Sequence, residues 1–345
     1  MIKNLTSIDD FEEIAEQWNQ FIWKHDEPNP SLVSEFVLSW WNLFNKSKKL
    51  QIYYSEDQCL GLPAYSYRPF KYFFRNVLRV IGDGASNYSE SFSNDINSNI
   101  DLLNLITQNN TYDFIRFDRV RKNSNFFCAL DNFRSDKFMI IKKKIGFTYC
   151  IENISDVDNY MLELPKKTRY HLRKGLKIIE GSGGLDIRQP NSLKELGEYF
   201  EAYVNLAVDS FRKRGKRNSF ENSNFAEFYI QFFQQLFNRS LLDCYVLKYN
   251  NDYLAIHFGV KTPNTLHYIL TAHNNKYGEL SPGHILIYTL LKNLGSKKRL
   301  DLHFGRNVLY KKQWANKTED VYEIFMLKKN IVNKTILRMR ERQKR

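Results

Sequence analysis

Hydrophobic and polar positions along the first half of the chain predict a mixed α/β domain. Runs rich in β-branched and aromatic residues at 50–54, 59–67, 77–81 and 112–118 predict strands. A polar stretch rich in Asn and Ser at 83–99 predicts a loop, and residues 100–107 predict a helix. An antiparallel segment at 139–151 is expected to lead into the second half.

The second half begins with predicted helices. After Pro165, the bases Lys166, Arg169, Arg173 and Lys177 recur at steps of three and four, so they share one face of an amphipathic helix. Glycines at 181–184 end this helix, and further helices are expected over 193–211 and 223–237.

Three runs at 244–249, 253–260 and 265–271 predict an antiparallel meander with short polar turns. In the next helix, Ser281 is expected as the N-cap, Pro282 as the first helical residue and Gly295 as the C-terminal cap. Because this helix is apolar almost all round, it should be buried against a sheet. The strand at 299–304 is then expected to lie parallel to the last meander strand, and a further strand is expected at 321–327.

Length and charge indicate the domain organisation and the kind of partner. A chain of 345 residues favours two domains, which we expect at 1–150 and 151–330, followed by a basic tail at 331–345. The formal net charge of +13 is concentrated in the basic runs 166–180, 212–217 and 328–345. Such clusters favour an anionic partner such as a coenzyme, a phosphorylated acceptor, RNA or a membrane surface, although a solvated surface explains each cluster equally well.

Other features narrow the class of protein. No stretch is long and apolar enough to span a membrane, and the first ten residues do not resemble a signal peptide, which predicts a cytoplasmic protein. The four cysteines are far apart and fit reduced thiols. No spacing of histidines and cysteines typical of a metal site appears, so no metal is expected.

Ser281-Pro282-Gly283-His284 is the sharpest candidate for a binding site. The first amides of a helix lack partners within the helix, and its dipole favours an anion there, so this sequence could hold a pyrophosphate. Glycine at 283 would let the phosphate come close. An efficient helix start with no ligand is the alternative.

The segment DLHFGRNVLYKKQW, residues 301–314, is the second candidate. Asp301 and His303 lie on the same face of a strand and are expected to point into a cleft together. Arg306, Tyr310 and Lys311 would gather near one end of the sheet. Ordinary surface bases at the exit of a strand are the alternative.

These segments resemble a known family. YLAIHFG, the SPGHIL helix and DLHFGRNVLYKKQW are similar to the C-terminal signature of GNAT-type acetyltransferases of the cellulose-biosynthesis (CelD/BcsL) family, which is related to Fem-type transferases. NPSLVSEFVLSWWNLF and LRVIGDGASNYSE resemble its N-terminal features. Asn307 departs from the family's usual glycine, and Ser89-Glu90 departs from its usual serine and aspartate.

The resemblance implies two tandem GNAT-like domains, each a mixed, largely antiparallel sheet flanked by helices, with the cofactor site of the first domain degenerate. It implies an acyl-CoA donor, expected to be acetyl-CoA, and an amine acceptor on a sugar or another small precursor of envelope polysaccharide, bound near the cleft between the domains. The residues implied for the coenzyme are Ser281, Gly283, His284 and Ile285, and those implied for substrate are Arg306, Lys311, Asp83 and Tyr88.

Acyl transfer to an amine needs a base, donors for the oxyanion and a proton for the leaving thiolate. Candidates for the base are His257, His303, Asp301 and Glu279. His257 shares a strand face with the small residues Ala255 and Gly259, which would leave room for a ligand, although a lone histidine on a strand is more often structural. Amides of a splayed strand could bind the oxyanion, and Tyr310 could protonate the thiolate.

Two other functions stay open at this point. The basic helix and the run FRKRGKR would also suit an aminoacyl-tRNA-dependent transferase of the Fem type, which should bind tRNA with a steep dependence on salt. A non-catalytic binding module could instead dock its amphipathic basic tail on acidic lipid or RNA.

Overall fold

The computed structural model describes residues 1–25, 28–72, 74–108, 111–295, 297–306 and 308–329. Asn307 and the basic tail 331–345, on which predictions were made above, lie outside the described residues. Within them, no helix is long and apolar enough to cross a membrane. The chain divides into two compact units, one formed by 1–147 with 319–329 and the other by 148–318.

The strands are β1 (Lys3–Leu5), β2 (Lys49–Ser55), β3 (Leu60–Tyr67), β4 (Val77–Val80), β5 (Phe114–Arg121), β6 (Phe138–Glu152), β7 (Asp186–Arg188), β8 (Leu242–Tyr249), β9 (Asp252–Lys261), β10 (Thr265–His273), β11 (Arg299–Gly305) and β12 (Lys317–Lys328). The α-helices are α1 (Ile8–Glu13), α2 (Ala15–Trp23), α3 (Ser34–Phe44), α4 (Ile96–Gln108), α5 (Asn125–Asn132), α6 (Val157–Glu163), α7 (Lys166–Gly181), α8 (Leu193–Arg212), α9 (Ser223–Asn238), α10 (Pro282–Lys292) and α11 (Leu309–Trp314).

The first unit is a sheet in the order β1-β2-β3-β4-β5-β12, followed by the first part of β6. Its pairings are antiparallel except that of β4 with β5, which is parallel over only three residue pairs, Val77↔Phe114 to Arg79↔Arg116. Helices α4 and α5 pack together and contribute to a core with Leu102, Ile106 and Phe126. Burial of such side chains stabilises the unit.

The second unit is a sheet in the order β11-β10-β9-β8-β7, with the end of β6 beside β11. The predicted meander of β8, β9 and β10 is antiparallel, and β10 pairs with β11 in parallel, as expected. Helix α10 contacts β9 and β10, and its apolar residues Ile285, Leu286 and Leu290 are buried. The predicted fold class, a mixed α/β protein with a largely antiparallel sheet flanked by helices, is confirmed.

Three details differ from the sequence expectations. Residues 319–329 were expected with the second half, but β12 pairs with β5 in the first unit. Helix α4 begins at Ile96, inside the stretch predicted as a loop, because Asp95 accepts hydrogen bonds from the amide and hydroxyl of Ser98 at 2.9 and 3.0 Å. The short helices α5, α6 and α11 were not predicted, because they have too few turns to give a clear periodic pattern.

Candidate active site

Strands β10 and β11 separate soon after they meet. Their described parallel pairing runs from Thr265↔Arg299 to His267↔Asp301, while β10 continues to His273 and β11 to Gly305. The register of β10 against β9 also shifts just beyond this point, between Tyr268 and Leu270. A bulge of this kind bends a strand locally, although β10 continues to pair with β9 beyond it. The second unit therefore has a split between two parallel strands at the edge from which helix α10 follows.

The first turn of α10 begins differently from the sequence expectation. Ser281 occupies the N-cap position, as expected, but it has a left-handed backbone (φ 56°, ψ 55°) and its side chain makes no capping hydrogen bond. Its carbonyl oxygen instead accepts from the amides of His284 at 2.9 Å and Ile285 at 3.3 Å. The Gly283 amide comes too early in the helix for such a bond.

Space and charge at this helix start suit an anion. A Cβ built on Gly283 would meet no atom within 4 Å, and the first turn carries no acidic residue. The positive end of the helix dipole is thus not neutralised by an acid of that turn. Ile285, predicted as a coenzyme contact, is fully buried, so only its main chain could face a ligand.

His284 is held in one tautomer by Trp314. The indole Nε1 of Trp314 donates to Nδ1 of His284 over 2.8 Å, which leaves any proton of the neutral ring on Nε2. Burial lowers the pKa of His284 below its ordinary value, and the nearby His171 lowers it further. The ring is therefore neutral at pH 7 and can offer an Nε2–H donor at the start of α10.

Helix α7 packs tightly against the segment before α10. A Cβ at Gly175 would overlap the carbonyl oxygen of Leu280, and it would lie 3.2 Å from the Cδ1 of Ile285. Leu172 and Ile179 are buried on the same side of α7, whereas Lys166, Arg173 and Lys177 are exposed. The predicted amphipathic helix thus presents its basic face to solvent and uses its glycine for close packing.

One aromatic residue, Tyr268, connects His257 with Tyr310. The ring of His257 stacks on that of Tyr268 at a centroid distance of 5.2 Å, and the phenols of Tyr268 and Tyr310 share a hydrogen bond. On its other side, Nε2 of His257 lies 3.2 Å from a carboxylate oxygen of Asp243. The open space predicted beside Gly259 is absent, because a Cβ there would touch the His257 ring and overlap the His267 carbonyl oxygen.

Burial keeps both phenols protonated. It raises the pKa of Tyr268 to about 12, against the opposing effect of hydrogen bonds with Thr271 and Tyr310. Burial and the neighbouring Tyr268 raise the pKa of Tyr310 well above its usual range. Tyr310 therefore carries its proton at neutral pH and can serve as a donor. Sequence reasoning missed Tyr268, although the predicted meander placed it one strand away from His257.

Asp301 and His303 come together, as expected, and His267 joins them. The carboxylate Oδ1 of Asp301 accepts from the His303 amide at 2.7 Å and lies 3.8 Å from the His303 Nδ1. The rings of His267 and His303 stack at 5.1 Å. Burial would raise the pKa of Asp301, but His303, Arg299 and His267 outweigh it and hold this pKa well below its usual range.

The remaining predicted residues of the second unit have other surroundings. Lys311 donates to the carbonyl oxygens of Leu302 and Phe304, the latter at 3.2 Å, so its ammonium group secures the end of β11. Arg306 and Glu279 are exposed. The assignment of Lys311 and Arg306 to substrate stays a prediction, and Lys311 has a structural role that the sequence did not reveal.

In the first unit, the two predicted substrate residues are engaged within the fold. Asp83 forms an ion pair with Arg79, in which one Nη–Oδ distance is 2.6 Å. Tyr88 is only 1% exposed and lies under the guanidinium of Arg121 at 4.7 Å. Because its side chain is enclosed, contact of Tyr88 with a substrate would require a rearrangement of this loop.

Comparisons with known proteins agree with this architecture. Residues 166–313 match the family model described as Acetyltransferase (GNAT) domain. A search of curated proteins found no match. Among solved structures, the chain is similar to FemX, with a TM-score of 0.64, 11% identity and coverage of 94% of this chain and 96% of FemX.

Two further solved structures share the fold. A conserved protein of unknown function from Bacteroides thetaiotaomicron has a TM-score of 0.62 and 12% identity, with coverage of 95% of this chain and 100% of that one. L-PGS from Bacillus licheniformis has a TM-score of 0.53 and 12% identity, with coverage of 93% and 94%. At such identities the likeness shows the fold alone. Residues 166–313 form a GNAT acetyltransferase-like domain, and the predicted class of enzyme, a GNAT-type N-acyltransferase, is confirmed at the level of this domain.

Proposed function

We propose that the protein transfers an acyl group, acetyl in the first instance, from coenzyme A to an amine of a sugar or another small precursor of envelope polysaccharide. The acceptor class comes from the resemblance of its motifs to the CelD/BcsL family, and a cytoplasmic location is part of the same proposal. The observation that carries the donor is the split between β10 and β11, together with the start of α10, where no side chain caps the first amides.

The two features suit the two parts of an acyl-CoA. An extended thioester arm can hydrogen-bond to main-chain groups of strands that have parted, and a pyrophosphate is stabilised by helix amides and the helix dipole. Gly283 leaves room for the phosphates, and His284 supplies an Nε2–H. No metal or lysine is needed for this binding.

The first unit provides an internal contrast. Its strands β4 and β5 also pair over three residues, and helix α4 lies between them in the chain, but the start of α4 is occupied by its own Asp95. Hydrogen bonds from the amides of Ser98, Asn97 and Ile96 lower the pKa of Asp95. An aspartate carboxylate thus takes the place of a phosphate in the first unit, which supports assigning the coenzyme to the second.

The chemistry requires a base, an oxyanion site and an acid. The acceptor nitrogen attacks the thioester carbon, the C–S bond breaks, and the proton lost by nitrogen and the proton gained by sulfur must be handled separately. We assign Tyr310 to protonate the thiolate. His257, predicted as the base, is fully buried beside Asp243, so transfer of the amine proton to it would require its neighbours to move. Main-chain amides of the parted strands would stabilise the oxyanion.

Binding of acetyl-CoA to a Gly283→Trp variant tests the proposal. An indole at this position fills the space in front of the first helical amides, so we expect binding of acetyl-CoA, measured by isothermal titration calorimetry, to be lost. Gly197→Trp is the matched control, because a Cβ on Gly197 in α8 also meets no atom within 4 Å. Equal affinity of the Gly283→Trp variant and the native protein would exclude this site.

A second candidate donor is an aminoacyl-tRNA. It is favoured by the exposed bases of α7, among them Lys167, Arg173 and Lys174. Charged tRNA should then bind with an affinity that falls steeply as salt increases, and acetyl-CoA should not bind. Absence of tRNA binding at low salt would remove this candidate.

A further inference from the structure

Three buried side chains of the second unit meet where the β10–β11 pairing ends. They are His267, Asp301 and His303, and each has one possible ligand atom within 4.8 Å of those of the other two. All three are at most 3% exposed. His267 and Asp301 are the last paired residues of the two strands, and His303 follows two residues later. The parallel register itself therefore brings the three together.

The backbone at His303 is unusual for a strand. Its φ is +60°, in the left-handed region that non-glycine residues rarely occupy. This conformation interrupts the alternation of side chains along β11 and accompanies the stacking of the His303 ring on His267. A strained residue that persists inside a sheet is typical of functional positions, because strain is retained only where the surroundings enforce it.

Neighbouring groups orient the carboxylate. Arg299 places Nη2 3.6 Å from Oδ2 of Asp301 and Nη1 3.0 Å from Glu152, so it acts on the far oxygen. The near oxygen, Oδ1, faces the His303 amide and lies 3.4 Å from the Thr148 hydroxyl. Partners outside the first coordination shell commonly fix a carboxylate ligand in this way.

We propose that His267, Asp301 and His303 bind a divalent transition-metal ion of the zinc class. Two imidazoles and one carboxylate suit zinc, and three protein ligands leave a fourth position for water or substrate. Ligands about 2.1 Å from zinc stand about 3.4 Å apart in a tetrahedron, so binding requires the three atoms to close up by about 1 Å. Rotation of the two rings can supply this change. The three ligands lie on β10 and β11 at the start of the split, whereas the proposed phosphate site is at the start of α10.

The test uses the full chain, stripped of metal by a chelator and titrated with Zn²⁺, and separately with Co²⁺ as a coloured probe. We expect one Zn²⁺ per chain by calorimetry, a rise in Tm with Zn²⁺, and a visible absorption spectrum of four-coordinate Co²⁺. Acetyl-CoA is absent, so the result does not depend on the proposed reaction.

His303→Gly is the decisive variant. It removes a ligand, and glycine adopts a positive φ without strain, so the sheet should be retained. We expect its Zn²⁺ affinity to fall at least about 10-fold, because even the loss of a residue that only orients a ligand typically weakens metal binding by that factor. His267→Asn is a second variant that should behave alike. His273→Gln, which changes an exposed histidine outside the cluster, is the control and should bind as the native protein does.

Two outcomes would overturn the proposal. One is the absence of stoichiometric Zn²⁺ binding and of the Co²⁺ spectrum in the native protein, which would make the cluster a buried ion pair only. The other is Zn²⁺ binding that His303→Gly and His267→Asn leave unchanged while His273→Gln weakens it, which would place the metal at the surface.

Discussion

The phenol of Tyr310 shares a hydrogen bond with the phenol of Tyr268. Tyr268 lies on β10, and Tyr310 lies on the short helix α11 that follows β11. The hydrogen bond therefore joins the two sides of the split. This contact places the proposed acid beside the strand whose amides would receive the thioester. It also connects Tyr310 with His257 through the stacked Tyr268 ring.

A Tyr310→Phe variant should lose the proton for the leaving thiolate. We expect kcat to fall about 100-fold and the KM for acetyl-CoA to change little, since a positioned acid contributes on the order of 10²–10⁴-fold. The measurement is the rate of free thiol release from acetyl-CoA with an amine acceptor. Tyr288→Phe, on α10, removes a partly exposed hydroxyl and is the matched control. An unchanged kcat in Tyr310→Phe would reassign the acid.

Much of the second unit could be predicted from its sequence. The meander was predicted from strong strand patterns separated by clear turns, and the start of α10 was predicted from Pro282. Both signals come from residues that are neighbours in the chain. The register that sets His267 beside Asp301 is a long-range pairing, and the positive φ of His303 breaks the pattern expected for a strand. Neither has a local signal, so His267 was missed.

The split between β10 and β11 illustrates the same limit. The sequence predicted that the two strands lie in parallel, but they part beside the bulge after Tyr268, and no turn residue in the sequence indicates that bulge. Likewise, serine is a residue type preferred at the N-cap, but Ser281 has a left-handed backbone and its side chain makes no capping hydrogen bond. Local secondary structure was therefore easier to predict than the backbone geometry at these two positions.

Gly175→Ala should destabilise the protein, although alanine favours a helix. The added Cβ overlaps the Leu280 carbonyl oxygen, and overpacking of this kind costs about 1–3 kcal/mol. Gly181→Ala, at the end of the same helix, meets no atom within 4 Å and should be neutral or slightly stabilising. The urea midpoints of the two variants measure the difference.

The alanine at 175 would displace Leu280, which lies just before α10. Gly175→Ala should therefore also weaken binding of acetyl-CoA more than Gly181→Ala does. Equal stability of the two variants would show that α7 does not pack against Leu280 in solution.

Protonation of His284 should destabilise the second unit. Its pKa in the folded state is lowered, so the unfolded chain binds the proton more tightly, and stability is lost as pH falls below the ordinary value of 6.5. Above that value the contribution is fully present. We expect the Tm of the native protein to fall between pH 7 and pH 5, and we expect less of this fall in a His284→Gln variant.

NMR titration of the His284 ring gives a direct check. In Trp314→Phe the indole donor to Nδ1 is lost, so this pKa should rise towards 6.5. A native pKa at or above 6.5 would contradict the lowering by burial, and an unchanged pKa in Trp314→Phe would contradict the donation from Trp314.

Removing the Asp95 carboxylate should destabilise the first unit in a pH-dependent way. Its pKa is lowered by hydrogen bonds from the first amides of α4, so its contribution is present above the unfolded value near 4 and disappears as pH falls through the lower folded value. An Asp95→Ala variant should therefore have a lower urea midpoint than the native protein at pH 7. The difference should shrink as the pH is lowered below 4, because the native carboxylate is then neutralised.

Asp101→Ala, which changes an acid within α4 rather than at its start, should show a smaller difference at pH 7. If Asp95→Ala and Asp101→Ala have equal midpoints at pH 7, the start of α4 is not held by Asp95, and the contrast with the uncapped start of α10 fails.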